Sequence, residues 1–78
     1  MKTKDLSFRI VLRPEREGGY TVIVPSLPGC ITYGENVQEA KKMAKDAIMA
    51  YLRSMEKHGD KFQDDSATLE GVLTLKYA

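Results

Sequence analysis

One segment, from Asn36 to Gly59, carries a helical period, while the stretches flanking it read as strands and turns. Val37, Ala40, Ala44, Ala47, Ile48, Tyr51, Leu52 and Met55 recur at three- and four-residue steps, which puts them on one stripe of a helix. Lys42, Lys45, Asp46, Arg53 and Glu56 take the opposite side. Asn36 is suited to cap the start, and Glu39 three residues on is placed to reach back, close to a capping box. Gly59 supplies the left-handed stop after Lys57 and His58. The four alanines at 40, 44, 47 and 50 favour the helix and let it lie close to a sheet. A single helix covers only one face of a sheet, so the other face must meet water or a partner.

The strands are legible from alternation. Leu6, Phe8, Ile10 and Leu12 share one face, and Ser7, Arg9, Val11 and Arg13 share the other, until Pro14 withdraws a ladder donor. Gly18-Gly19 then makes a hairpin turn into Tyr20–Val24, a run that is apolar or β-branched throughout. Pro25-Ser26-Leu27-Pro28-Gly29 is a stiff turn before a short third strand from Cys30 to Tyr33, closed by Gly34. Beyond a polar connection from Asp60 to Ala67, Thr68–Tyr77 reads as a last strand. Leu73, Leu75 and Tyr77 face one way in it, Val72, Thr74 and Lys76 the other, with Gly71 a candidate bulge.

The expected architecture is therefore α+β, in the order β-β-β-α-β. It is an antiparallel three-strand meander, a right-handed crossover helix, and a final strand parallel to the first. The uncovered face keeps Val11, Val72 and one apolar side of the second strand, either Tyr20/Val22/Val24 or Ile23. Exposed apolar surface of that kind marks an interaction site.

At 78 residues the chain is expected to be one domain, with a thin stability margin that favours association. Twelve basic residues against eleven acidic give a formal charge of +1, which argues against a strongly basic nucleic-acid arm. Lys41, Lys42, Lys45, Arg53 and Lys57 are interleaved with Glu39, Asp46 and Glu56, the pattern of a solvated helix face rather than a phosphate rail. Direct nucleic-acid binding by this chain alone is thus not expected. No apolar run approaches the roughly 18 residues of a membrane span, and Met1–Lys4 opens no signal segment. A single cysteine, Cys30, fits a reducing, cytoplasmic setting and excludes an internal disulfide.

The chemical inventory is sparse. His58 is the one histidine and has no nucleophile or second acid–base group assigned beside it, so capping or packing is its expected role. Cys30 has no cationic neighbour or helix start to activate it. A meander followed by a crossover helix is how ribonuclease H-like domains begin, and such nucleases hold metal ions with carboxylates on their strands. Here the first strand centres on Phe8-Arg9-Ile10-Val11, and Asp64-Asp65 sits in a loop, where a solvated pair is commoner than a cation site. No catalytic, cofactor or metal residue is assigned. The residues expected to meet a partner are Arg9, Val11, Ile23, Ser26, Met49 and Val72; Met49 enters because it falls on the polar side of the helix.

Gly18-Gly19-Tyr20-Thr21-Val22, then Pro25-Ser26-Leu27-Pro28-Gly29-Cys30, then Gly34-Glu35-Asn36-Val37-Gln38-Glu39-Ala40 and Ala47-Ile48 resemble the HicB antitoxin family. The likeness runs from about Phe8 to Tyr77 and is most specific between Gly18 and Ile48. The resemblance implies a partial ribonuclease H-like domain that sterically blocks a small HicA-type toxin, an mRNA-cleaving ribonuclease. It implies no chemistry of this chain's own. A single HicB-like domain over 1–78 is the expectation, and its thin stability margin favours a homodimer. Many family members carry aspartate where this chain has Ser26, and many continue into a DNA-binding module, so operator binding is not expected of this chain by itself. The alternative is a solitary nucleic-acid-binding or regulatory domain of the same fold without a toxin.

Overall fold

The computed structural model describes residues 5–78; the Met1–Lys4 start lies outside them. Three strands, β1 (Val11–Pro14), β2 (Tyr20–Ile23) and β3 (Ile31–Gly34), form an antiparallel sheet in the order β1-β2-β3, followed by the helix α1 (Val37–Lys57). The α+β class and the meander-then-helix order are those expected. β1 is shorter than its alternation suggested, because its first half has no partner strand. β2 ends at Ile23, and the chain turns away through Pro25–Gly29.

Turn chemistry sets each boundary. Gly18 and Gly19 take φ of 108° and 76°, a conformation that side chains resist, and the Gly18 N–H and Glu15 N–H close the hairpin on the carbonyls of Glu15 and Gly19. In the proline loop the Leu27 N–H bonds to the Val24 carbonyl, and the Cys30 N–H to the Leu27 carbonyl. This double turn swings Leu27 into the core, where it is buried with Val24 and Cys30. Asn36 caps α1, accepting from the Glu39 N–H at 2.8 Å; the Glu39 carboxylate returns the bond to the Glu35 N–H, one residue earlier than the usual box. At the other end the Asp60 N–H reaches the Met55 carbonyl and the Gly59 N–H the Glu56 carbonyl, a Schellman stop.

The helix covers one face only. Val22, Ala40 and Ala44 form a fully buried contact, with Ile10, Leu12 and Tyr20 packed around it. A second cluster joins Val24, Leu27 and Cys30 to Phe8, Ala47, Ile48, Tyr51, Leu52 and Met55. Of the two readings of the second strand, the Tyr20/Val22/Val24 side is therefore the covered one, and Ile23 lies on the open side. Val37, included in the apolar stripe, is 44% exposed at the helix start.

The expected last strand does not form. Residues 68–78 carry no regular structure, and Leu69, Val72, Leu73, Leu75 and Tyr77 are 82–99% exposed. The cause is local. Asp65 N–H bonds to the Ser7 carbonyl, which brings the chain back beside the first strand, but the Thr68 N–H then closes a turn on the Asp65 carbonyl. Past that turn Glu70 still lies 4.0 Å from Arg9, but no residue of the tail pairs with β1. The consequence is visible in the dimensions: the Cα radius of gyration is 14.8 Å, against about 11.5 Å for a compact chain of this length.

The closest approach of helix and sheet gives a stability test. A Cβ on Gly34 would run into the backbone N and Cα of Ala40, atoms that cannot swing aside, whereas one on Gly71 would meet nothing within 4 Å. Gly34→Ala should cost about 2 kcal/mol or more, and Gly71→Ala should stay within about 0.5 kcal/mol. Urea unfolding followed by helix ellipticity checks both.

Candidate partner interface

Directly opposed residues in an antiparallel sheet point to the same face. Val11 pairs with Ile23 and Ile23 with Ile31, so these three make one aliphatic row across the open face. Arg13, Thr21 and Tyr33 make the next row. Ile31 is 60% exposed and Val11 41%. Phe8, Ile10 and Leu12 pack on the helix side, so alternation places Arg9 on the open face, before Val11. The arginines at 9 and 13 thus flank the aliphatic row along the first strand.

The far end of this face is held by polar bonds. Tyr33 donates its hydroxyl to the Gly18 carbonyl at 3.0 Å, and Thr21 donates to a Glu15 carboxylate oxygen at 2.7 Å. A Cβ at Gly19 would collide with the Tyr33 ring, so the hairpin lies flat across that ring. The near end is held by two carboxylates. Asp65 accepts from the Arg9 N–H at 2.8 Å, the Ser26 hydroxyl at 2.6 Å and the Thr68 hydroxyl at 2.9 Å. Asp64 accepts from the Ser7 N–H at 2.9 Å and from the Ser66 hydroxyl at 2.8 Å. Phe62 stacks obliquely on Phe8, with ring centroids 6.3 Å apart. Together they strap the segment after α1 to the start of the first strand.

The six residues singled out from the sequence fall in four places. Arg9, Val11 and Ile23 come together on the open face. Ser26 is part of the strap, through Asp65. Met49 is 44% exposed but lines an apolar groove on the helix side, with Leu6, Phe8, Ile10, Ile48 and Leu52. Val72 sits in the detached tail. Arg9 is also drawn toward that tail: its Nε is shut off from water without a hydrogen-bond partner, 4.0 Å from a Glu70 carboxylate oxygen. Ile31 and Tyr33 were missed, although their alternation against Thr32 and Gly34 was readable once β3 was assigned.

The reactive groups have structural employment. His58 Nδ1 lies 2.7 Å from the Ser54 carbonyl, to which it donates at the helix end. Burial pushes the Cys30 thiol up, away from the thiolate form. Asp64 and Asp65, weighed as cation ligands in the sequence, serve the strap instead. Among the described residues no three histidine, cysteine or acidic side chains are grouped to hold a metal, and no helix is long and apolar enough to cross a membrane.

The Ser26 hydroxyl and the Arg9 N–H hold the Asp65 carboxyl below the usual aspartate range, and the Ser7 N–H and Ser66 hydroxyl do the same for Asp64. A lowered folded-state pKa means the strap adds stability above the ordinary aspartate range and loses it as pH falls through the folded values. Acid titration by NMR should therefore release the Ser7 and Arg9 amide protons below that range. Asp65→Ala should abolish the Arg9 transition, keep that of Ser7, and lower the denaturation midpoint at neutral pH.

Comparison with known proteins places this arrangement. A family described as the HicB-like antitoxin of bacterial toxin–antitoxin systems matches residues 8–76. A UPF0150 protein of Thermoplasma acidophilum is 39% identical over 62 residues, spanning 80% of this chain and 90% of that protein. Antitoxin HicB of Escherichia coli K12 is 41% identical over 44 residues, or 56% of this chain and 32% of the antitoxin. Antitoxin HicB 1 of Photorhabdus laumondii is 39% identical over 46 residues, or 59% of this chain and 30% of the antitoxin. Nearly the whole described fold, from the first strand through the tail, thus lies within one family's match, and the chain belongs to the HicB-like antitoxin family of bacterial toxin–antitoxin systems.

Proposed function

We propose that this chain is a one-domain antitoxin that binds a small HicA-type toxin in the cytoplasm and blocks it sterically, without catalysis of its own. Family membership supports the antitoxin role. The observation that carries the binding reading is the Val11–Ile23–Ile31 row, an aliphatic surface on the sheet face that α1 leaves open. Its margins are rigid, because the Glu15–Gly19 hairpin and the Asp64–Asp65 strap fix the two ends. A flat, preformed apolar face with a polar rim suits docking on a folded protein. Blocking by coverage asks for shape and burial alone, which accords with the structural duties of His58, Cys30 and the paired aspartates.

Completing the burial of an aliphatic side chain as open as Ile31 contributes about 1–2 kcal/mol, which is roughly tenfold in affinity. The chain mixed with the product of the adjacent gene should give a stable 1:1-stoichiometry complex by size-exclusion chromatography with light scattering, and should silence that product's RNA cleavage. Ile31→Lys should weaken the complex at least tenfold while leaving the helix ellipticity of the free chain unchanged. Absence of any complex at micromolar concentration would sink the proposal.

A further inference from the structure

We propose that the tail from Leu69 to Tyr77 is a second contact with the toxin, laid as an added strand along an open sheet edge of that protein. The inference rests on the antitoxin reading and deepens it, because it names what the partner must offer beyond a surface for the Val11–Ile23–Ile31 row. The tail is amphipathic at a strand's period. Leu69, Leu73, Leu75 and Tyr77 share one parity and are 82–99% exposed, while the other parity carries Glu70, Thr74 and Lys76 with Val72. An extended segment of that pattern recognises a sheet edge with its backbone and a row of apolar pockets with alternate side chains. The segment belongs to the domain, because the family match runs through residue 76.

The tail starts beside the face on which such a partner sits. The Glu15 N–H bonds to the Gly19 carbonyl, so residues of that parity in the first strand donate toward β2. Ser7 and Arg9 share the parity, and Asp64 and Asp65 meet their donors on that side, past the end of β2 at Ile23. Ser26 of the proline loop closes on the same Asp65. The chain is thus pinned between the first strand and the proline loop, and from there Glu70 comes to 4.0 Å from the Arg9 Nε. Arg9 has the open-face parity of Val11, so the root of the tail lies against the face that carries the aliphatic row.

Reach and area fit one occupant for both contacts. The extended segment 69–77 spans about 30 Å, whereas the row crosses its three strands in about 10 Å. The tail therefore passes beyond the row and can follow the flank of a small domain seated there. The chain exposes 7030 Å², against about 4,800 Å² for a compact monomer of its mass. The surplus is on the scale of a standard protein interface, roughly 1,600 Å². Once the row is seated, the tail is tethered next to its target, so its capture is an intramolecular step at high effective concentration. Ordering the tail costs conformational entropy, which burial of the leucine row and the added backbone bonds offset.

The test compares the full-length chain free and bound to the product of the adjacent gene. Amide exchange at 69–77 should be that of an unstructured peptide in the free chain, and should slow ~100-fold or more in the complex. Leu73→Lys/Leu75→Lys should weaken the complex ~10-fold or more through faster dissociation, with the helix ellipticity of the free chain unchanged. The weakened complex should still respond to Ile31→Lys, because the two contacts are separate. A complex that forms with 69–77 exchanging freely, or a variant that binds as the wild type does, would overturn the tail contact and leave the antitoxin reading standing. Protection of the tail in the free chain would overturn it as well. Concentration-dependent protection would give the strand to a second copy, and concentration-independent protection to this chain's own sheet. No complex with the wild-type chain would overturn both readings.

Discussion

The contact of α1 with β2 and β3 through side chains of minimal size governs the rest of the molecule. Ala40 and Ala44 are buried against Val22, and Gly34 leaves no space for a Cβ against the Ala40 backbone. That approach seats the helix over the middle and far strands. It leaves the helix side of β1 only partly covered, which is the origin of the groove beside Leu6, Phe8 and Ile10. It also spends the chain's one long helix on a single face. The two unfilled surfaces, the Val11–Ile23–Ile31 row on one side and the groove on the other, follow from the same packing choice.

The Asp64–Asp65 strap solves a second problem. The donors of Ser7 and Arg9 have no partner strand once β2 has ended, and the return chain after α1 satisfies them with carboxylates rather than with a strand's carbonyls. Hydrogen bonds to an ionised acceptor are stronger than neutral ones, so two aspartates close the edge at Ser7 and Arg9 over a very short stretch. Anchoring Ser26 to the same carboxylate ties the proline loop to the strap. An aspartate at position 26 would put a second anion beside Asp65, so this serine and this strap fit one another.

Most of the architecture was legible because local signals agreed. The cap at Asn36, the stop at Gly59, the Gly18-Gly19 turn and the three-strand order were all readable from turn chemistry and periodicity. The open face was legible in part: Val11 and Arg9 came from alternation, whereas a second strand apolar on both parities could not declare which parity met the helix. Ser26 and Met49 were read as surface pointers for sound local reasons, but a loop serine's partner lies 39 residues away, and a helical wheel does not show where a neighbouring strand stops. The tail marks the limit most clearly. Thr68–Tyr77 has a strand's alternation, and alternation reports fitness for a ladder without naming the chain that supplies it.

That last distinction bears on how a domain this small reaches adequate stability. A 78-residue chain that removes only about 60% of its unfolded surface from water has little margin to leave three leucines and a tyrosine uncovered. Each large apolar side chain transferred from water is worth about 1.5–3 kcal/mol, and Leu69, Leu73, Leu75 and Tyr77 are all left outside. The open aliphatic row lies on the other face from the groove beside β1, so the single helix leaves each side of the sheet its own apolar surface.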